Sequence, residues 1–378
     1  MGKPVTSSAL NPRSLMRKHF HVPNRYFLTH SVGCLPVTTP NAVQESIFSH
    51  WQSKGGDAWP NWMDVITEFR TEIGHLLGVN QADMCPQTNV SSGLTKIIYS
   101  LPKRTGRKTI LLTKQDFPTI GFVLKQAERE GYTLRFVEGD ITDVKAWSAA
   151  MDETVQLALI THALSNTSQL LPVKNICELA GENGVFSIVD IAQSVGIVPI
   201  HLPDWEADFA LGSSVKYLCG GPGACFLYAA PHMIEQCTPL DVGWFSHENP
   251  FEMDIENFRF AADAMRFFGG TPSPIPFATS LNALKLRNTI GAFYDHVQDD
   301  LSALSAAVPR KYLISPTQPE KRAGTLVVNP DDRGKLRTAL AKNEILHDER
   351  TQGFRFSIHG YTPAQDIDLL KSILREVF

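Results

Sequence analysis

Between about residues 79 and 230, short apolar runs alternate with amphipathic stretches. The strand candidates are "TILLT" (109–113), "TLRFVE" (133–138), "VQLALITH" (155–162), "VFSIVD" (185–190), "DFALGSS" (208–214) and "ACFLYA" (224–229). Between them, "TIGFVLKQAEREG" (119–131) and "KNICELAGENG" (174–184) space their apolar residues by three and four, which predicts helices. Such alternation predicts an α/β domain with a mostly parallel sheet. Upstream, residues 41–78 read as helical and stop at Gly78, and residues 1–25 form an irregular arm with Pro4, Pro12 and Pro23. The texture changes near 250. A Gly/Pro turn in "RFFGGTPSPIPF" feeds a long helix from about 276, and the remainder reads strand, helix, strand, helix, the pattern of a small α+β domain. The expected division is an arm and segment packing with the small domain (1–40), a large α/β domain (41–265), and a linking helix with the small domain (266–378).

Composition narrows the classes. The chain has 378 residues, 43% apolar, 20% charged, with a net charge of −4. That is long enough for a large core, and it carries no basic signal for nucleic acid or an anionic membrane. No run of eighteen apolar residues or secretory h-region is visible. Gly2 and Thr6 fit a myristoylation pattern, a short match that chance readily supplies. The six cysteines form no C-x-x-C pair and no zinc spacing, so no metal is expected, and unpaired thiols suit the cytoplasm.

The candidate chemistry lies at the predicted strand ends, where open α/β sheets bind ligands. In "GSSVKYLCGGPG", Lys216 stands between a Ser pair and a Gly-Gly-Pro-Gly turn. "VFSIVD" ends in Asp190, with Gln193 three residues on; Asn166 lies beyond "VQLALITH"; Phe117 follows "TILLT". "NVSSGLTKIIYSL" offers Ser91 and Ser92 at a helix N-terminus. Each part suits pyridoxal phosphate (PLP). A lysine supplies the amine, and a carboxylate keeps the pyridine nitrogen protonated. Amides can donate to the phenolate oxygen, a helix N-terminus binds phosphate, an aromatic ring stacks, and the glycines let the chain turn beside a bulky group.

"VDIAQSVG", followed 26 positions after its Asp by "SSVKYLCGGPG", resembles the class V aminotransferase family of fold type I PLP enzymes. The resemblance runs from "YFLTHSVGCLP" to "FRFSIHGYTPAQDID" and is nearest the kynureninase-like and isopenicillin epimerase-like branch. It implies a seven-stranded large domain, and residue roles. Lys216 would bind the cofactor and shuttle the proton at the substrate Cα. Asp190 would pair with the pyridine nitrogen and Gln193 would touch the phenolate oxygen. Val90, Ser91 and Ser213 would hold the phosphate, and Phe117 would stack on the ring. Arg355 would fork onto a substrate α-carboxylate. Trp244 in "GWFSH" and Thr271 in "FFGGTPS" would reach a neighbouring subunit's cofactor, which implies a homodimer.

The sequence also departs from the kynureninase pattern. Val215 stands where that branch carries a tyrosine, Ile120 replaces an Asp, and Gln193 replaces a His. No cysteine follows Cys237, which disfavours cysteine desulfurase chemistry. The expected function is transamination of a small amino acid or its keto acid, with kynureninase-like cleavage as the alternative. A second enzyme class, an S-x-x-K serine hydrolase built on Ser213 and Lys216, rests on a pattern that Ser100–Lys103 also matches. A silent PLP-fold binding module is the third reading. His162 and His359 receive no role, and Cys219 and Cys225 are read as packing.

Overall fold

A computed structural model describes residues 16–291 and 293–378. The first fifteen residues, with Pro4, Pro12 and the Gly2/Thr6 pattern, lie outside the described residues. Strands are numbered in chain order. β1 (Phe20–His21) and β2 (Leu35–Pro36) form a small antiparallel pair. The central sheet contains β3 (Met84–Gln87), β4 (Thr109–Leu112), β5 (Thr133–Phe136), β6 (Val155–Thr161), β7 (Phe186–Asp190), β8 (Phe209–Ser213) and β9 (Cys225–Ala229). Its seven strands run in the order β3-β9-β8-β7-β6-β4-β5. β4 to β8 are mutually parallel, and β9 runs antiparallel to both β8 and β3. The α/β reading and the seven-stranded sheet therefore stand.

Every residue of β4, β6, β7, β8 and β9 is buried, as continuous apolar runs covered on both faces require. β5 is a partly exposed edge. β3, seen in the sequence only as a lead-in to a helix, is the other edge. It is four residues long and contains Pro86, whose missing N–H an edge strand tolerates. The long helix Trp59–Leu77 covers it, and the buried Arg70 donates from Nε to the Met84 carbonyl at 2.9 Å and from Nη2 to Asp263 at 2.5 Å. That helix ends at Gly78, which is left-handed (φ 75°), where the sequence pattern places the stop. Upstream, residues 39–58 are a chain of short helical pieces rather than one helix.

Two apolar cores organise the chain. One gathers the central sheet and its helices; the other gathers β10 (Thr325–Val328) and β12 (Gly353–Ser357), flanked by β11 (Asp348–Arg350), with the helices Tyr294–Ser305, Arg333–Lys342 and Ala364–Val377. β10, β12 and β11 form an antiparallel sheet in that order. β11 was not foreseen; its residues Asp348, Glu349 and Arg350 are all charged. Ala163, Ile197, Tyr217 and Cys219, from the loops after β6, β7 and β8, pack in the second core. The carboxyl ends of the parallel strands thus lie between the two cores.

The glycine turn after Lys216 also packs against a helix. Gly221 and Gly223 have φ of +72° and +90°, conformations open to glycine. A Cβ on Gly220 would lie 2.6 Å from Ser280 Oγ and 2.9 Å from Ser280 Cα, and one on Gly223 would lie 3.0 Å from Pro276. The turn therefore packs against the helix Pro274–Ile290, a close approach that itself needs glycine. Ser280 Oγ donates to Ser214 Oγ at 2.7 Å, two residues before the lysine. Gly220→Ala should overpack this contact and destabilise the protein by about 1–3 kcal/mol, read as a lower urea midpoint at unchanged slope.

Candidate active site

The parallel strands deliver one side chain after another to a single edge. A cavity of about 200 Å³ opens there, and Lys216, Asp190, Gln193, Ser213, Phe117 and Ser91 line it. Val90 and Asn89 contribute from the helix Val90–Ile98, and Thr161, Ala163 and Ser165 from the end of β6. Asn89 caps that helix: its Oδ1 accepts the Ser92 N–H at 2.8 Å. Gly93 brings the helix close to β8, since a Cβ there would lie 2.7 Å from Leu211. Val90 and Ser91, in the first turn of that helix, thus line the cavity, and a helix N-terminus at its edge is suited to phosphate.

Lys216 and Asp190 set the electrostatics. Asp190 is buried at the end of β7, and its Oδ1 accepts the Ala192 N–H at 2.9 Å. Burial pushes its carboxyl up, opposed by that N–H and by Lys216. Burial lowers the Lys216 amine, opposed chiefly by Asp190. Among the described residues, no carboxylate lies within 4.0 Å of the lysine nitrogen, which sits 5.7 Å from the centre of the Phe117 ring. The amine is thus drawn toward its neutral, nucleophilic form without being tied up in an ion pair. Asp190 keeps one oxygen for a ligand. Nearby, Asp116 is pushed up to about 6 by burial, against hydrogen bonds from Thr113 N–H and Thr161 Oγ1, both at 2.7 Å.

A second charged group lies behind the cavity wall at Ser165. Arg355, 2% exposed on β12, donates from Nε to Asp348 at 2.8 Å, from Nη2 to the same carboxylate, and from Nη1 to the Ser165 carbonyl at 2.6 Å. Three of its five N–H groups are used; one on each terminal nitrogen remains. Arg350 Nε lies 3.3 Å from Asp348, and its Nη1 donates to Asn166 Oδ1 at 3.1 Å. His30 Nε2 lies 3.6 Å from Asp348. Contacts with His30 and Arg355 hold the Asp348 carboxyl well below the usual range, while burial takes His30 down to about 4, so it is neutral at pH 7.

The residues expected from the sequence divide into four groups. Lys216, Asp190, Gln193, Ser213, Phe117, Val90 and Ser91 line one cavity. Gln193 also donates to the His30 carbonyl at 3.2 Å. Ser92 and Asn166 are not on its wall: Ser92 N–H serves the helix cap and Asn166 serves Arg350. Arg355 stands behind Ser165. Trp244 and Thr271 lie elsewhere and bond to each other, Nε1 to Oγ1 at 3.2 Å. Cys225, read as packing, in fact borders the cavity at the start of β9. His162 is buried, with Nδ1 2.9 Å from Ser194 Oγ and its ring against Trp205, in keeping with a structural histidine. Ser213 Oγ accepts only the Val215 N–H at 3.5 Å and makes no bond to Lys216, which removes the pairing a serine hydrolase needs. The sequence did not reveal Asp348, Arg350 or His30; the run of charges in "HDER" was the one available signal.

The set of groups fits PLP: an unpaired amine, a buried carboxylate with a spare oxygen, a helix N-terminus and a ring on one wall. Comparison with known proteins agrees. Residues 45–329 match the family described as Aminotransferase class-V. The chain is similar to an uncharacterized aminotransferase, YcbU, of Bacillus subtilis (26% identical over 369 residues, 92% of this chain and 96% of that protein). It is similar also to a kynureninase of Deinococcus radiodurans (26% identical over 381 residues, 94% of this chain and 90% of that one). Among solved structures, a lysine-to-alanine mutant of C-DES with glycine covalently linked to its PLP cofactor shares the fold at TM-score 0.85, 22% identity, covering 95% of this chain and 99% of that one. A cysteine desulfurase of Thermococcus onnurineus does so at TM-score 0.82 and 19% identity, covering 96% of this chain and 97% of that one. With a match across residues 45–329 and a cavity furnished as these enzymes require, the chain belongs to the class V aminotransferase family of PLP-dependent, fold type I enzymes.

Proposed function

We propose that the protein transaminates a small amino acid or its keto acid, with Lys216 as the covalent anchor. The observation that carries this reading is the placement of the Lys216 amine and the Asp190 carboxylate on one cavity, with a helix N-terminus at its edge. PLP, when bound, supplies a carbonyl that amines capture and a protonated ring that draws electrons from a bond at the substrate Cα. The chain's residues do the rest. Lys216 would hold the cofactor and, once released, move a proton at the substrate Cα. Asp190 would keep the ring nitrogen protonated through its spare oxygen. Val90 N–H, Ser91 and Ser213 would take the phosphate, with Ser92 in support. Gln193 would donate to the phenolate oxygen, with Asn166 beyond it, and Phe117 would cover one face. Arg355, oriented by Asp348 and the Ser165 carbonyl, would grip the α-carboxylate with its two remaining N–H groups.

Kynureninase-like cleavage is the second reading, favoured by the kynureninases among the chain's relatives. Val215, where that branch carries a tyrosine, speaks against it. We infer a homodimer as well. Phe251, Met253 and Ile255 are 56%, 71% and 97% exposed on the segment that follows Trp244, a surface apolar enough for a second copy to cover. Trp244 and Thr271 would then reach the neighbouring site. Six free, buried cysteines suit the cytoplasm. Among the described residues, no helix is long and apolar enough to cross a membrane.

Protein purified with PLP should show a visible absorption band that borohydride abolishes. A new band on adding an amino acid separates an enzyme from a silent binding module. Lys216→Ala should lower turnover by at least about 10³-fold; near-normal activity would overturn the role of the lysine. Arg355→Ala removes a charge-assisted fork worth about 1.5–3 kcal/mol, so KM for an α-amino acid should rise about 10- to 150-fold while cofactor is retained. An unchanged KM would remove the carboxylate role.

A further inference from the structure

We propose that Arg350 binds a second carboxylate on the substrate, so that the site favours amino acids whose side chains end in an acid. This rests on the reading of the cavity as the amino acid site. Arg355 alone suffices for an α-carboxylate, yet the structure sets a second guanidinium beside it. The two differ in setting. The Arg355 side chain is 2% exposed and fixed by three bonds behind Ser165; that of Arg350 is 34% exposed and stands beside Phe117, a residue of the cavity wall. The guanidinium carbon of Arg350 is 5.9 Å from the centre of the Phe117 ring, and the Lys216 nitrogen is 5.7 Å from the same centre. A substrate joined at the lysine end and held by Arg355 would therefore project its side chain toward Arg350.

Donor counting agrees. Arg350 gives one Nη1 hydrogen to Asn166, and its Nε lies 3.3 Å from Asp348, so even with Nε set aside three N–H groups remain, enough for a fork onto a carboxylate. So does charge. The groups facing Arg350 are Asp348 on β11, Arg355 on β12, His30 from the N-terminal segment, Asn166 after β6 and Phe117 after β4. His30 is neutral at pH 7. One carboxylate thus serves two guanidiniums, and the cluster carries a net single positive charge. An amino acid with an acidic side chain arrives with a net single negative charge and complements it; a neutral amino acid does not. A purely structural Arg350, present only to hold Asp348 beside Arg355, would act on every amino acid alike.

The test is a calorimetric comparison on the PLP-loaded protein, without keto acid, of aspartate with asparagine and of glutamate with glutamine. The wild type should bind one of the two acids at least tenfold more tightly than its amide. Arg350→Gln should bring that ratio to within about twofold of one, and Arg350→Lys, which keeps the charge but loses the fork, should restore part of it. A wild-type ratio near one for both pairs overturns the proposal. So does a ratio that survives Arg350→Gln, or affinities for acid and amide that fall together in that variant. Failure of the cofactor reading would show separately, as a protein without the borohydride-sensitive band, and would take the proposal down with it.

Discussion

The site depends on burying a lysine amine and a carboxylate on one cavity while keeping them from forming an ion pair. Water would hold both charges at little expense; the carboxyl ends of β7 and β8 do not. Burial raises one group and lowers the other, so each is made reactive by the removal of solvent. That requires continuous apolar strands beneath, and a helix held close by Gly93 above. Chemistry and core packing are consequences of the same burial.

The arginine cluster obeys a different rule. Arg355 is buried deeply enough that it needs a counter-charge, and Asp348 supplies it from the neighbouring strand. Asp348 occupies only one edge of the guanidinium and the Ser165 carbonyl one further N–H. The clamp is therefore both neutralised and still able to donate. A buried arginine left alone would be costly; one fully enclosed by carboxylates would be unable to bind substrate.

How far the sequence foretold this depends on what kind of information each part needs. The strands β4 and β6 to β9 are nearly continuous apolar runs, and the signal survives in one dimension because each of them is buried along its whole length. Asp190, Gln193 and Lys216 were legible because strand ends are legible. The Gly-Gly-Pro-Gly turn was legible, but the helix that crowds it was not: it lies more than fifty residues away, and spacing carries no record of such a contact. β3 and β11 were missed because four residues with a proline, or three charged residues, have no apolar alternation to read. Arg350 and Asp348 escaped for the same reason, since only antiparallel pairing with β12 brings them beside Arg355.

The antiparallel course of β9 has a further consequence. The chain leaves β8 at Ser213, carries Lys216, and is back in the sheet at Cys225. Both ends of that excursion are nailed to adjacent strands, and its middle rests on the helix Pro274–Ile290. The lysine can extend or retract but cannot be carried away, whereas Arg350 and Arg355 ride on the other core. With substrate held by those arginines as proposed, descent can redraw what the protein accepts by altering one half of the molecule while the half that carries the lysine is inherited intact.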